Sequence, residues 1–253
     1  MNPVIALWAH PRSMSTAFER IMRERGDCTC FHEPFLYDYY VHRAQAEMPM
    51  MEVPEDHPIR YEDIRDMLLS AAEDGPVFFK DMSYYVLPRI YDDVEFSSRL
   101  TNAFLIRDPY KSILSYYKLD QNMAAVEIGI EAQWQHYNWL RNVFGDNPMV
   151  LLAEDVQANP VGTMGQFWKA AGLSFCEEAF SWQTGDVPED WQGLVGWHGD
   201  VSASNSINPP DPTENAVANF HKAAKSAPQL QRYLDQHMPY YQQLHAHALG
   251  SGP

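Results

Sequence analysis

The chain has 253 residues, 45% of them hydrophobic, enough to bury one sizeable core, so a single domain is the default expectation. Eighteen basic residues stand against 34 acidic ones, a net charge of −16, which makes nucleic acid and highly sulfated or uronic polysaccharides poor partners. Three cysteines are too few for a disulfide framework, and no apolar run is long enough to span a bilayer, so the chain reads as a cytoplasmic protein without membrane partners.

In chain order, Val4-Ile5-Ala6-Leu7-Trp8 is a short continuous apolar run, the pattern of a buried parallel strand. It leads through His10-Pro11-Arg12-Ser13-Met14-Ser15-Thr16 into a segment with Phe18, Ile21, Met22 and Arg25 at helical spacing, stopped at Gly26. A loop entering a helix N-terminus presents N–H groups and a positive dipole end. Ser13, Ser15 and Thr16 add hydroxyls and Arg12 a forked charge, so the segment suits an anion. An ordinary Ser/Thr helix cap is the equal alternative for the loop taken alone. A Walker loop is excluded, because no glycine lies between Val4 and Arg25 and no lysine stands beside the serines.

Cys28-x-Cys30 has the wrong spacing for zinc and fits alternation along a strand. Asn102-Ala103-Phe104-Leu105-Ile106 reads as another strand, and Pro109 suits the first turn of the helix after it. Arg107 then stands at the strand's end and Ser115 about two turns into the helix, near enough to share a phosphate. Alternatively, Arg107 pairs locally with Asp108 and Ser115 is a surface position. Further on, Ile130, Trp134, Tyr137, Leu140 and Phe144 follow helical spacing, Met149–Leu152 is a compact strand, and Pro228 precedes a C-terminal helix with Leu230, Tyr233 and Leu234. Strands alternating with helices indicate an α/β fold, a central parallel sheet flanked by helices over residues 1–249, with 250–253 as a flexible tail.

Three blocks in this order resemble the sulfotransferases that use 3′-phosphoadenosine 5′-phosphosulfate (PAPS). His10–Thr16 is similar to their 5′-phosphosulfate loop, and Arg107-Asp108-Pro109 with Ser115 to their 3′-phosphate motif. Glu154-Asp155-Val156-Gln157-Ala158-Asn159-Pro160 with Phe167-Trp168 and Gly172-Leu173 resembles a later family block, so that the likeness runs over residues 3–173. The resemblance implies a single-domain P-loop-like fold. It implies that Ser13, Met14, Ser15 and Thr16 hold the 5′-phosphosulfate, that Arg107 and Ser115 bind the 3′-phosphate, and that Arg12 neutralises the bridging oxygen. PAPS would be the donor and adenosine 3′,5′-bisphosphate the product, with no metal. Met14 departs from the glycine often found in this loop.

The base is read from two family patterns. Phe78-Phe79-Lys80-Asp81-Met82 matches a strand end where cytosolic members carry K-T-H, but Met82 stands in place of the histidine. Cys30-Phe31-His32-Glu33-Pro34-Phe35 is similar to an E-P pair that carries the base in the bacterial trehalose-type branch. Glu33 is therefore favoured as general base, with His32 and His10 as rivals. Strand alternation places His32 on the face opposite Glu33. Lys80 is a candidate for stabilising the transferring sulfuryl group, and Asp81 either orients a substrate or is solvated.

The acceptor wall is expected from Phe35-Leu36-Tyr37-Asp38-Tyr39-Tyr40, Met48-Pro49-Met50-Met51 and Tyr84-Tyr85, with residues 41–60 an excursion over the site. Trp191–Pro212 is a second loop candidate. The acidic surface favours a small neutral or cationic acceptor. The rival functions are a phosphoryl-transfer enzyme of the same broad fold, which predicts ATP–Mg²⁺ binding, and a nucleotide-binding module without a base.

Overall fold

Five parallel strands in the order β2-β3-β1-β4-β5 form one sheet in the computed structural model, which describes residues 2–47, 53, 57–145, 147–194 and 203–249. The strands are β1 (Val4–Ala9), β2 (Thr29–His32), β3 (Val77–Met82), β4 (Leu100–Ile106) and β5 (Met149–Leu152). Every residue of β1 is buried, because helices cover both faces of the sheet and leave no polar side for the central strand. This is the α/β architecture expected, a central parallel sheet flanked by helices.

Alternation along the strands sorts the core into two layers. Val4, Ala6 and Trp8 of β1, with Val77 and Phe79 of β3, face the larger layer. It is filled by α2 (Tyr61–Asp74), the short α3 (Ser83–Val86), α4 (Arg89–Asp92) and α5 (Val94–Arg99), then α6 (Pro109–Leu119), α7 (Ile130–Phe144), α10 (Ala216–Ala224) and α11 (Gln229–His245). Ile5 and Leu7, with Phe78, face the smaller layer under α1 (Ser15–Glu24), α8 (Ala153–Ala158) and α9 (Pro160–Ala170).

Local chemistry sets the element ends. The side chain of Asp108 accepts from the Tyr110 N–H at 2.8 Å and caps α6, with Pro109 in its first turn. Asp108 is thus a helix cap, and no Arg107–Asp108 ion pair forms among the described residues. Asn159 caps α9 in the same way, accepting from the Gly162 N–H at 3.0 Å.

The chain crosses from β3 over β1 to β4, so β1 and its neighbours enclose the crevice where open α/β sheets bind ligands, at the strands' C-terminal ends. Gln133 of α7 seals the floor there: its amide donates to the Trp8 carbonyl at 2.9 Å and the Leu105 carbonyl at 3.1 Å, bridging β1 and β4. Gly129, with φ +80°, ends the turn before α7, and a Cβ there would stand 3.3 Å from His10 Cβ and Tyr84 Cδ1. A side chain at 129 would therefore press on two elements of the crevice. Among the described residues no helix is long and apolar enough to cross a membrane.

Candidate active site

A cavity of about 740 Å³ opens over the C-terminal ends of β1, β2 and β3. Pro11, Arg12, Met14, Ser15, Thr16 and Ala17 line one side, with Arg107 beside them, and Glu33, Lys80 and Met82 line another. Tyr40, Tyr84, Tyr85 and Tyr116 form an aromatic end, and Gln157, Thr184 and residues 203–208 the remaining wall.

The loop after β1 takes its curve without glycine. Arg12 (φ 63°) and Met14 (φ 69°) are both left-handed, a conformation that costs a residue with a Cβ about 1–2 kcal/mol. Met14 therefore adopts the backbone that glycine would supply. Four non-glycine residues have positive φ among the described residues, and three of them, Arg12, Met14 and Glu33, line the cavity. Backbone strain concentrated in this way is a mark of a functional site. Met14 is the N-cap residue of α1, and its side chain makes no cap hydrogen bond. The alternative of an ordinary Ser/Thr cap is thereby set aside, and the helix end faces the cavity with its positive dipole.

The loop is anchored to β4. The His10 Nε2 accepts from the Arg107 N–H at 3.0 Å, and its Nδ1–H donates to the Pro11 carbonyl at 3.1 Å. Burial lowers its pKa to about 3, so His10 is a neutral bracket with both nitrogens engaged, not a rival base. Arg107 Nη1 donates to the Arg12 carbonyl at 2.9 Å, and Arg12 Nε donates to Ser115 Oγ at 3.0 Å. Arg12, Arg107 and Ser115 are thus brought together. Ser115 stands behind Arg12, outside the cavity lining, and Ser13 is fully buried beneath the loop, its Oγ without a hydrogen-bond partner.

Glu33 follows β2, and its N–H donates to the Lys80 carbonyl at 3.0 Å, which extends the β2–β3 ladder by one step. Its φ of 45° then turns the chain, so the alternation expected beyond His32 fails. His32 lies beside Glu33, Nε2 to Oε1 4.0 Å, instead of on the opposite face. Lys80, only 1% exposed, donates to Glu33 Oε1, and the Tyr85 hydroxyl donates to Oε2 at 3.3 Å. His32 Nδ1–H donates to Glu19 Oε2 at 2.6 Å, and burial, reinforced by the charge of Lys80, holds its pKa well below the usual histidine value. A neutral, engaged His32 is a weak competitor for the role of base.

Asp81 is fully buried, which corrects the solvated alternative. It accepts from the N–H of Phe35 at 2.8 Å and of Met82 at 3.1 Å, and so fixes the Glu33-Pro34-Phe35 turn. Burial, then the charge of Glu33, pushes its pKa well above the usual carboxylate range.

The expected acceptor wall is only partly right. Phe35 and Leu36 are fully buried core residues, and Tyr37 and Tyr39 are buried outside the cavity lining. Asp38 is the acceptor for Arg43 Nε at 2.6 Å and the Tyr61 N–H at 3.2 Å. Of that stretch only Tyr40 reaches the cavity, together with Tyr84 and Tyr85. No described residue of 41–60 lines it; Met48–Met51, residues 195–202 of the second loop candidate and the tail 250–253 lie outside the described residues.

A family model described as a sulfotransferase domain matches residues 3–248. The chain belongs to the sulfotransferase domain family. Two curated relatives from Arabidopsis thaliana are branched-chain-amino-acid aminotransferase-like proteins 2 and 1. They are 23% and 25% identical over 258 and 253 residues, which is 96% and 94% of this chain. The chain spans 42% of the length of each. Among solved structures, the sulfotransferase domain from the Synechococcus PCC 7002 olefin synthase superposes with a TM-score of 0.59 at 18% identity, covering 89% of this chain and 94% of that one. That likeness is one of fold.

Within this sulfotransferase domain Tyr116 and Thr184 line the cavity without a signal in the sequence. Gln157 of the later family block, Met82 at the end of β3 and, within the second loop candidate, the segment 203–208 line it too. That segment is pinned by the Trp182 N–H donating to the Asn205 carbonyl at 3.0 Å and by Gln157 Nε2 donating to the Asn208 carbonyl at 3.1 Å. Glu19, fully buried on α1, accepts from Arg23 Nε at 2.7 Å and Trp191 Nε1 at 2.8 Å as well as from His32, and lies 4.0 Å from Lys80 Nζ. In sequence, Glu19 and Arg23 look like an ordinary i,i+4 surface pair. Among the described residues no group of three or more His, Cys, Asp or Glu is arranged to hold a metal ion.

Proposed function

We propose that this chain transfers a sulfuryl group from PAPS to a hydroxyl or amine of a small-molecule acceptor. The observation that carries the reading is the meeting, in one cavity, of an anion-binding helix N-terminus with two arginines and a carboxylate–lysine pair. The donor fits this chain's residues. The N-terminus of α1 with Ser15 and Thr16, and the Arg12–Arg107 pair, are a cationic, donor-rich cradle for the phosphosulfate end.

When bound, the donor supplies an electrophilic sulfur and a phosphate leaving group. Glu33 takes the proton from the acceptor as its oxygen or nitrogen bonds to sulfur. The sulfur–oxygen bond to the 5′-phosphate breaks, and its electron pair stays on the phosphate oxygen, where Arg12 and the helix dipole balance the charge. Lys80, paired with Glu33 in the cavity wall, stabilises the sulfuryl oxygens in flight. Arg107 holds the 3′-phosphate, with Ser115 keeping Arg12 in place. Three cysteines and this donor suit a reducing, cytoplasmic setting.

Calorimetric titration tests the reading with adenosine 3′,5′-bisphosphate, 5′-AMP and ATP–Mg²⁺. The bisphosphate should bind at least tenfold more tightly than either of the others. Stronger binding of ATP–Mg²⁺, or no gain from the 3′-phosphate, would overturn the donor assignment.

A further inference from the structure

Behind the aromatic end of the cavity lies a buried carboxylate with no ion-pair partner among the described residues. Tyr40, Tyr84, Tyr85 and Tyr116 line that end beside Met82. The ring of Tyr85 stands 4.6 Å from that of Tyr84 at 70° and 5.6 Å from that of Tyr40 at 74°, so the walls meet as corners. Behind them lies Glu127, 6% exposed. Its Oε1 accepts from the Tyr40 hydroxyl and its Oε2 from the Ala124 N–H, each at 2.8 Å. Among the described residues no lysine, arginine or histidine forms an ion pair with it. Burial, then the negative charge of Glu127, pushes the Tyr116 hydroxyl above the usual tyrosine pKa.

A carboxylate removed from water without a counter-charge is costly, and two neutral hydrogen bonds do not supply that charge. Phenol faces attract cations through their ring quadrupoles, most strongly where water is excluded. The two features select the same partner. The other end of the cavity is cationic, with Arg12 and Arg107, and Lys80 is engaged by Glu33.

We infer that the acceptor is an alcohol carrying an ammonium group, with its cation in the corner of Tyr40, Tyr84 and Tyr116 before Glu127 and its hydroxyl at Glu33. This rests on the sulfuryl-transfer reading. Glu33 and Glu127 adjoin the same aromatic wall: Tyr85 donates to Glu33, its ring meets that of Tyr84 at 4.6 Å, and the Tyr84 hydroxyl stands 3.4 Å from that of Tyr40. Glu33 receives the hydroxyl proton, the oxygen–sulfur bond forms and the bond to the 5′-phosphate breaks. The product is a zwitterion, an ammonium and a sulfate ester on one small molecule.

The test separates this site from the donor site. Tetramethylammonium and tert-butanol, cationic and neutral probes of similar size, are titrated against the intact protein with and without adenosine 3′,5′-bisphosphate. Tetramethylammonium should bind at least tenfold more tightly. Glu127→Gln and Tyr116→Leu should each remove most of that difference while changing bisphosphate affinity less than twofold. With PAPS present, choline should be sulfated at least tenfold more efficiently than 3,3-dimethylbutan-1-ol, its uncharged carbon counterpart. Equal binding of the two probes, or a preference for the neutral alcohol, overturns the ammonium inference even where bisphosphate binding stands. Tight tetramethylammonium binding without bisphosphate binding supports the cation site and sinks the donor reading.

Discussion

Glu33 and Lys80, 47 positions apart in the chain, close a buried ion pair across the ends of neighbouring strands. The register that pairs His32 with Lys80 makes this possible, and the left-handed φ of Glu33 directs the carboxylate into the cavity. The pair joins the group assigned to remove a proton to the group assigned to stabilise the sulfuryl oxygens. Glu33→Gln should therefore lower kcat by about 10²–10⁴-fold, with bisphosphate affinity changed less than threefold. Single-turnover measurements with labelled PAPS would decide it, and unimpaired transfer in the variant would remove Glu33 from its role.

Arg107 makes a charged contact with the loop and faces the cavity. A hydrogen bond to a charged group contributes about 1.5–3 kcal/mol, so Arg107→Ala should weaken adenosine 3′,5′-bisphosphate by about 10–100-fold. 5′-AMP lacks the 3′-phosphate and should lose only what the loosened Arg12 carbonyl costs, at most about threefold on this reasoning. Equal losses for the two nucleotides would show that Arg107 merely braces the loop.

The loop's curve gives a backbone test. Met14→Gly removes the Cβ penalty of the left-handed conformation and should retain bisphosphate binding. Met14→Ile places a β-branched residue where such side chains are genuine outliers. That variant should bind the bisphosphate at least about tenfold more weakly, since about 1.4 kcal/mol of strain already has that effect. If isoleucine bound as well as methionine, the backbone conformation at position 14 would not govern the anion site.

How far the site could be read from sequence depends on how local each signal is. The continuous apolar run of β1, the hydroxyl-rich entry to α1 and the Pro109 helix start are local, and each element stands where it was expected. The Glu33-Pro34 pair was likewise visible, but the neighbour relation with His32 was not. Alternation assumes a continuing strand, and one left-handed residue broke it. The aromatic run Phe35–Tyr40 misled because composition cannot distinguish a core wall from a cavity wall. Its π-turn, Asp38–His42, directs only Tyr40 to the site. Glu19 and Glu127 were invisible as site residues, since an acidic residue in a helical segment reads as solvated until packing buries it.

Two histidines in the core link stability to pH. His10 and His136 are fully buried, and burial lowers each pKa from 6.5 to about 3. The unfolded chain takes up protons near pH 6.5 while the folded one does not until about pH 3, so stability is full above pH 6.5 and falls through that window on acidification. Between pH 7.5 and 5 each histidine should cost about 2 kcal/mol. Urea unfolding of the parent and of His136→Phe at both pH values isolates one of them. The parent should lose about 2 kcal/mol more than the variant over that interval, and identical losses would mean that His136 is protonated in the fold.

Glu19 holds the Lys80 side of the pair in place from beneath. It is fully buried and receives hydrogen bonds from His32, Arg23 and Trp191, with Lys80 Nζ 4.0 Å away. Replacing it by glutamine keeps the shape, removes the charge and turns one acceptor into a donor facing donors. Breaking one side of a buried charged cluster costs about 3–5 kcal/mol, and a part-exposed Arg23 places Glu19→Gln at the lower end of that range. With Glu19 neutral, Lys80 keeps Glu33 as its one carboxylate neighbour and is no longer held from both sides, so kcat should fall while KM for the donor changes less than about threefold. Denaturation and steady-state kinetics on the same preparation distinguish the outcomes. Lost stability with an unchanged kcat would make Glu19 a structural anchor only; a lowered kcat at unchanged KM makes it a positioning residue for the Glu33–Lys80 pair.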